Sequence, residues 1–346
     1  MSAGGAKSYY SQADYYTEGQ ELAGVWRGEG AARLGLSGKV EQKDWDALCD
    51  NRDPRTTLPL TVRRKQERSV GYDFNFHVPK SVSLLYATTG DERILNAFRE
   101  SVRETMNDME AEMKTRVRVG GKNEDRTTAN MVWGEFVHFT SRPVDGVPDP
   151  HLHAHCFVHN VTFDGAEDRW KAGQFRDLKR DAPYFEAVFH SKMARRVAEL
   201  GLAVERTKKG WEIAGFSKPT LDKFSRRTAV IEEEATRKGI TAPEEKSELG
   251  AKTRDKKQKN LSMDELRHEW LSRLSGDEQN GLSRVADRVG GTPLPENVRI
   301  AEQAAQLATD HCFERKSVVP ERELLAQALK RGVGQGSVKT VERAVR

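Results

Sequence analysis

Pro150-His151-Leu152-His153-Ala154-His155-Cys156-Phe157-Val158-His159 is the stretch on which the reading of this chain turns. Imidazoles alternate with small or apolar residues through His155. In an extended strand successive side chains point to opposite faces, so His151, His153 and His155 share one side. Leu152, Ala154 and Cys156 face the other way, toward a core. Three imidazoles crowded on one strand face pack poorly and suit a divalent cation. A single histidine would read as a polar surface residue; three at period two read as metal ligands. The pattern alone does not choose among them.

Working outward, Ser141–Pro150 is rich in Pro, Gly and Asp and reads as a loop. Thr127–Thr140 before it reads as a strand, and the two strands form an antiparallel pair that can carry His138 to the same point. Further back, Gly71–Val78 alternates, with Tyr72, Phe74, Phe76 and Val78 apolar and Asp73, Asn75 and His77 polar. Asp73 therefore lies mid-strand, where a carboxylate can orient an imidazole or accept a proton. Pro79-Lys80-Ser81-Val82-Ser83 opens a helix. Further helices are expected over 93–116, 180–201, 220–238 and 262–274, with a hairpin over 202–213 turning at Lys208-Lys209-Gly210. From about residue 293 three short helices follow. The glycines of Trp26–Gly38 read as turns and a helix stop, not a dinucleotide fingerprint, because no apolar strand precedes them. Gly332–Thr340 lacks the Gly directly before Lys that a phosphate loop requires.

Composition narrows the class. The chain has 346 residues, 36% hydrophobic and 32% charged, with no apolar run long enough to span a bilayer. The first residues show no apolar signal core, so a cytoplasmic location without membrane insertion is expected. Cys49, Cys156 and Cys312 are widely spaced and form neither a disulfide framework nor a thiolate zinc site. Net charge is only +4, but basic runs such as Arg226-Arg227 and Lys252–Lys257 suit phosphates. Four of the seven tyrosines, Tyr9, Tyr10, Tyr15 and Tyr16, lie within eight positions. They suit an aromatic anchor or a cluster of nucleophiles equally well.

In this order, the tyrosine pairs, Trp26–Gly30, Leu34–Gly38, Gly71–Phe74, Pro79–Ser83, Arg126–Thr128, His138–Arg142 and Pro150–His155 resemble the MobF conjugative relaxases. These are the TraI/TrwC-like group within the His-hydrophobic-His endonucleases. The resemblance spans roughly residues 8–275. Tyrosines ahead of histidines favour a relaxase over a rolling-circle replication initiator, which has the reverse order. The resemblance implies an α+β fold, with an antiparallel five-stranded palm sheet flanked by helices. It also implies a relaxase domain over 1–290, a mobile helical segment over 216–275 covering the DNA site, and the helical start of a helicase-like region over 291–346. The chain is then expected to be a fragment. The implied metal ligands are His138, His153 and His155, with His151 outside the set. Mg²⁺ or Mn²⁺ is the expected cofactor, with Zn²⁺ or Ni²⁺ as substitutes. The implied nucleophile is Tyr9, attacking the scissile phosphate of single-stranded DNA at an origin of transfer, with Tyr10, Tyr15 or Tyr16 performing a second step and Asp73 assisting. Lys80, Arg126, Arg142, Arg226, Arg227 and Lys256 are the expected DNA contacts. Relaxosome accessory proteins and a type IV secretion coupling protein are the expected partners. Two other readings are a non-catalytic single-strand-binding module on the same fold and a metal-dependent oxygenase. The oxygenase lacks an obvious carboxylate ligand and leaves the tyrosines unexplained.

Overall fold

The computed structural model describes residues 4–7, 22–62, 69–242, 245–246, 249–250 and 261–346. Tyr9, Tyr10, Tyr15, Tyr16 and Lys256 lie outside the described residues. At the centre is an antiparallel sheet of β1 (Val25–Arg27), β5 (Trp133–Thr140), β6 (Pro150–His159) and β2 (Gly71–His77), in that spatial order. The α+β class and the antiparallel sheet are as expected; four strands of it, where five are expected, lie among the described residues. Three two-stranded hairpins accompany it: β3 (Lys114–Val119) with β4 (Lys122–Thr127), β7 (Thr162–Asp164) with β8 (Arg169–Lys171), and β9 (Val204–Arg206) with β10 (Trp211–Ile213).

Alternation along β6 divides the sheet into two faces. Leu152, Ala154 and Cys156 are buried with Val137, Phe139 and Phe76 beneath two long helices, Glu92–Ala111 and Ala182–Glu199. Phe189 links them, its ring 5.2 Å from Phe76 and 6.1 Å from Phe98. On the opposite face the sheet is half apolar and half polar. Toward the end of β6, Trp45 from the helix Gln42–Cys49 packs within 5.0 Å of Phe157 and 5.6 Å of Phe136. Toward its start, the same face carries the imidazoles of His151, His153 and His155.

Several elements depart from the expectation; the helix expected over 220–238, for one, is two, Lys218–Asp222 and Arg226–Arg237. The helix placed over 93–116 ends at Ala111, and Lys114–Thr127 form the β3–β4 hairpin. Its turn residues Gly120 and Gly121 both have positive φ, the condition a tight hairpin turn imposes. Trp26–Gly38 is not all turn: Trp26 pairs with Gly134 in β1, and a short helix, Glu29–Arg33, follows. Gly28 between them has φ +93, and a Cβ there would stand 2.4 Å from the Met131 carbonyl oxygen.

Residues 261–289 form two helices, Met263–Ser272 and Gly276–Ala286, each opened by a capping box (Ser262 with Glu265, Ser275 with Glu278). Leu266, Trp270 and, further upstream, Phe224 are fully buried in the main core. The Trp270 indole donates to the Pro148 carbonyl at 2.9 Å, tying this segment to the loop that feeds β6. Beyond it, the helices Val298–Phe313, Glu321–Arg331 and Val338–Val345 close around Ala301, Ala305, Ala308 and Leu329. This small core rests on Ala187 and Val188 of the Ala182–Glu199 helix. No helix among the described residues is long and apolar enough to cross a membrane.

Candidate metal and phosphoryl-transfer site

The register of the sheet brings the histidines together. His138 of β5 and His77 of β2 both pair with His153, while Phe136 and Asn75 both pair with His155. Side chains at paired positions share a face, so His138, His77 and Asn75 stand on the histidine face of β6. Ring centroids of His138, His153 and His155 are 5.0, 5.2 and 5.3 Å apart pairwise. An ion about 2.1 Å from each coordinating nitrogen would lie roughly 3.2 Å from each ring centre, and two such ligands at a tetrahedral angle would have centres about 5.2 Å apart. The observed triangle has that size. Among the described residues no three donor atoms are gathered as a finished cage; what the structure shows is three rings at ligand spacing.

Partners on the far nitrogens favour this use. His155 donates through Nδ1 to Oδ2 of Asp73 at 2.8 Å, since a carboxylate can only accept. His153 donates through Nδ1 to the His151 carbonyl, also at 2.8 Å. Both contacts leave Nε2 as the lone-pair nitrogen, the arrangement that orients imidazoles toward a cation. Burial holds the imidazoles of His151 and His153 well below the usual histidine range, neighbouring imidazoles adding to the effect, so both are neutral. His151 stacks on His153 with centroids 4.5 Å apart and supplies the carbonyl that orients it. It therefore acts on the site through His153.

The loop entering β6 is pinned by charge. Asp149, 2% exposed, pairs with Arg226 at 2.8 Å and Arg273 at 2.7 Å, and it also accepts the Arg226 backbone N–H at 3.0 Å. Lys80 donates to the Pro150 carbonyl at 2.7 Å, and burial lowers its ammonium to about 8, partly opposed by Asp149. These contacts bear on the residues expected to touch DNA. Arg226 is engaged with Asp149 and the carbonyls of Val144 and Val147. Arg126 holds both oxygens of the buried Asp164 carboxylate, at 3.0 and 2.9 Å, and Arg227 holds the Gly250 carbonyl. Arg142 is half-buried just beyond β5. A basic run in a sequence does not show which of its cations a buried carboxylate or carbonyl has already engaged. Three residues at or near the site were given no role from the sequence: His77, whose ring is 6.0 Å from that of His151; His190, 6.1 Å from His77; and Arg273. The signal for His77 was present, as the third polar position of the Asp73-Asn75-His77 alternation. His190 lies on a helix remote in sequence and gave none.

A sequence model of the TrwC relaxase family matches residues 3–276. The chain belongs to that family. Among curated relatives, the multifunctional conjugation protein TraI of Escherichia coli is 32% identical over 67% of this chain and 13% of its own length. TraI of E. coli strain K12 is 30% identical over 95% of this chain and 19% of its own length. The chain thus spans under a fifth of the length of these relatives. Among solved structures, the conjugative relaxase TrwC in complex with oriT DNA, metal-bound, is similar with a TM-score of 0.68 and 30% identity, covering 82% of this chain and 94% of that one. A copper-bound TrwC complex with oriT DNA gives 0.70 at 28% identity, over 80% of this chain and 96% of that one. TrwC bound to a 27-mer comprising the recognition hairpin and the cleavage site gives 0.68 at 27% identity, over 80% and 95%. All three structures resemble this TrwC-family chain in fold, and the first two are described as metal-bound.

Proposed function

We propose that this chain is a DNA relaxase that nicks one strand at a plasmid origin of transfer and later rejoins it. The observation that carries the reading is the three-imidazole triangle of His138, His153 and His155 in a member of the TrwC relaxase family. His138, His153 and His155 would hold a divalent cation, Mg²⁺ or Mn²⁺ in this reading, and such an ion would supply polarisation of a non-bridging phosphate oxygen and charge stabilisation in the transition state. Asp73 and the His151 carbonyl keep His155 and His153 in the tautomer that such binding needs. Tyr9 is assigned as the nucleophile: its phenolic oxygen bonds to phosphorus, the bond from phosphorus to the 3′ oxygen breaks, and that oxygen is protonated as the phenol loses its proton. The 5′-phosphotyrosyl linkage keeps the phosphodiester energy, so rejoining requires no nucleotide. Tyr10, Tyr15 or Tyr16 performs the second transesterification that ends transfer.

In the same reading, residues 216–275 cover the bound strand, with Arg142 the half-buried cation nearest in sequence to β5 and Lys256 a contact from the covering segment. Residues 291–346 begin the part that follows the relaxase, and the protein works in the cytoplasm with accessory proteins and a secretion coupling protein. Incubation of the chain with candidate origin oligonucleotides and Mg²⁺ or Mn²⁺ tests the reading. A covalent protein–DNA adduct, resolved on a denaturing gel, is expected, and Tyr9→Phe removes most of it. Failure of every candidate to form an adduct would overturn nicking; a full adduct with Tyr9→Phe would move the nucleophile to another tyrosine.

A further inference from the structure

Beyond the histidine triangle, a cleft lies on the far side of His77. It has a volume of about 740 Å³ and runs between the β9–β10 hairpin and the C-terminal three-helix unit. That size is within the roughly 300–1,000 Å³ that accommodates a ligand of nucleotide dimensions. Five cations line it, Arg206, Lys208 and Lys209 from the hairpin and Lys330 and Arg331 from the Glu321–Arg331 helix, against two carboxylates, Glu186 and Glu212. One of those carboxylates is already engaged, because Glu212 accepts the Ser81 backbone N–H at 2.8 Å. The other, Glu186, stands 3.7 Å from Lys330, both side chains about half exposed.

The hairpin cations differ from many others among the described residues. Lys114, Lys171, Lys192 and Arg196 each pair with at least one carboxylate. Arg206, Lys208 and Lys209 have no ion pair among the described residues, and all three are exposed. A file of imidazoles links the cleft to the histidine triangle: ring centroids step 4.5 Å from His153 to His151, 6.0 Å to His77 and 6.1 Å to His190. His190, on the cleft wall, is fixed by the Trp211 indole, which donates to its Nδ1 at 3.3 Å.

We propose that this cleft is a second nucleic-acid track, which grips the sugar-phosphate backbone of the single strand flanking the cleavage site and leads it from the metal centre onto the C-terminal helical unit. The inference rests on the relaxase reading and names a surface for the same substrate. Its chemistry is phosphate neutralisation. Lys and Arg stay charged at neutral pH, and the indole of Trp211 is buried, so the track follows backbone and reads little sequence.

The test uses the full chain and fluorescein-labelled (dT)30, with affinity followed by anisotropy across a salt series. Each phosphate contact on a single strand adds about 0.7 to the slope of log affinity against log salt. Lys208→Glu with Lys209→Glu should therefore lower the slope by about 1.4 and weaken binding about tenfold or more at low salt. Lys330→Glu with Arg331→Glu should behave alike. Arg299→Glu with Lys339→Glu, an equal charge change on the same helical unit but outside the cleft, should leave the slope unchanged. Lys208→Ala with Lys209→Ala serves if the reversals fail to fold. A 4-thiothymidine strand should cross-link to peptides covering 204–213 and 327–333. An unchanged slope in the cleft variants, or the same loss in the Arg299/Lys339 control, overturns the track. Absence of any covalent adduct while the cleft variants still lose slope would sink the nicking reading and leave the track standing.

Discussion

The two faces of β6 are built from adjacent residues of one strand, yet they do opposite work. Leu152, Ala154 and Cys156 are fully buried under helices, and their contribution is packing. His151, His153 and His155 remain partly accessible on the other face, and the rings of His153 and His155 are oriented by the His151 carbonyl and the Asp73 carboxylate. Stability and chemistry are thus separated by the pleat of the strand. Over residues 151–156 a substitution should affect one and spare the other, according to whether its position number is even or odd; beyond them Phe157 returns the odd face to packing.

The largest effect expected from breaking this division is on the odd side. His155→Ala should reduce Mn²⁺ affinity by more than about 100-fold, measured by titration calorimetry, because losing a ligand exceeds the loss of a partner behind one. The thermal midpoint should move little; a collapse of the fold would show that the histidine face is structural. On the even side, Leu152→Ala should cost roughly 2–5 kcal/mol in urea unfolding with Mn²⁺ affinity retained. A strong loss of metal binding by that variant would break the division. Asp73→Asn keeps the shape but takes the charge from the His155 contact, and should lower metal affinity about 10–100-fold. Equal affinity in that variant would assign His155 another orienting group.

The smallest effect concerns His190, on the helix side. Burial lowers its imidazole to about 4 from an ordinary value of 6.5. The unfolded chain therefore binds this proton at a higher pH than the folded one. The stability associated with the neutral ring is present above about pH 6.5 and is lost as pH falls toward 4, with a slope of at most about 1.4 kcal/mol per pH unit for one proton. His190→Gln should flatten that limb of a stability-against-pH curve measured by urea midpoints; an unaltered limb would place the proton elsewhere.

Much of the fold could be read along the chain where a repeat is local. Period two in 71–78 and 150–159 marked β2 and β6 and separated their faces, and a periodic apolar stripe marked the Ala182–Glu199 helix to within two residues at each end. The β3–β4 hairpin escaped because helical character was carried past Ala111, although Gly120-Gly121 signalled a turn. β1 escaped because three residues carry too little pattern to register. The ion pairs of Arg126 and Arg226 could not be read along the chain, because their carboxylates, Asp164 and Asp149, lie 38 and 77 residues away. No local pattern reports such a pairing.

What the sequence determined alone is the alternation: which residues of β6 face a core, which face a site, and that imidazoles dominate the second set. That follows from the covalent geometry of an extended chain and holds whatever packs around it. Only the tertiary structure decided the company those imidazoles keep. Register between β5 and β6 set His138 opposite His153, β2 brought Asp73 to His155, and the His151 carbonyl turned the His153 ring. The cleft beyond His77 required the end of β2, the Ala182–Glu199 helix, the β9–β10 hairpin and the C-terminal helices to meet. Such meetings are decided by which surfaces bury together, a long-range outcome that no window of residues contains.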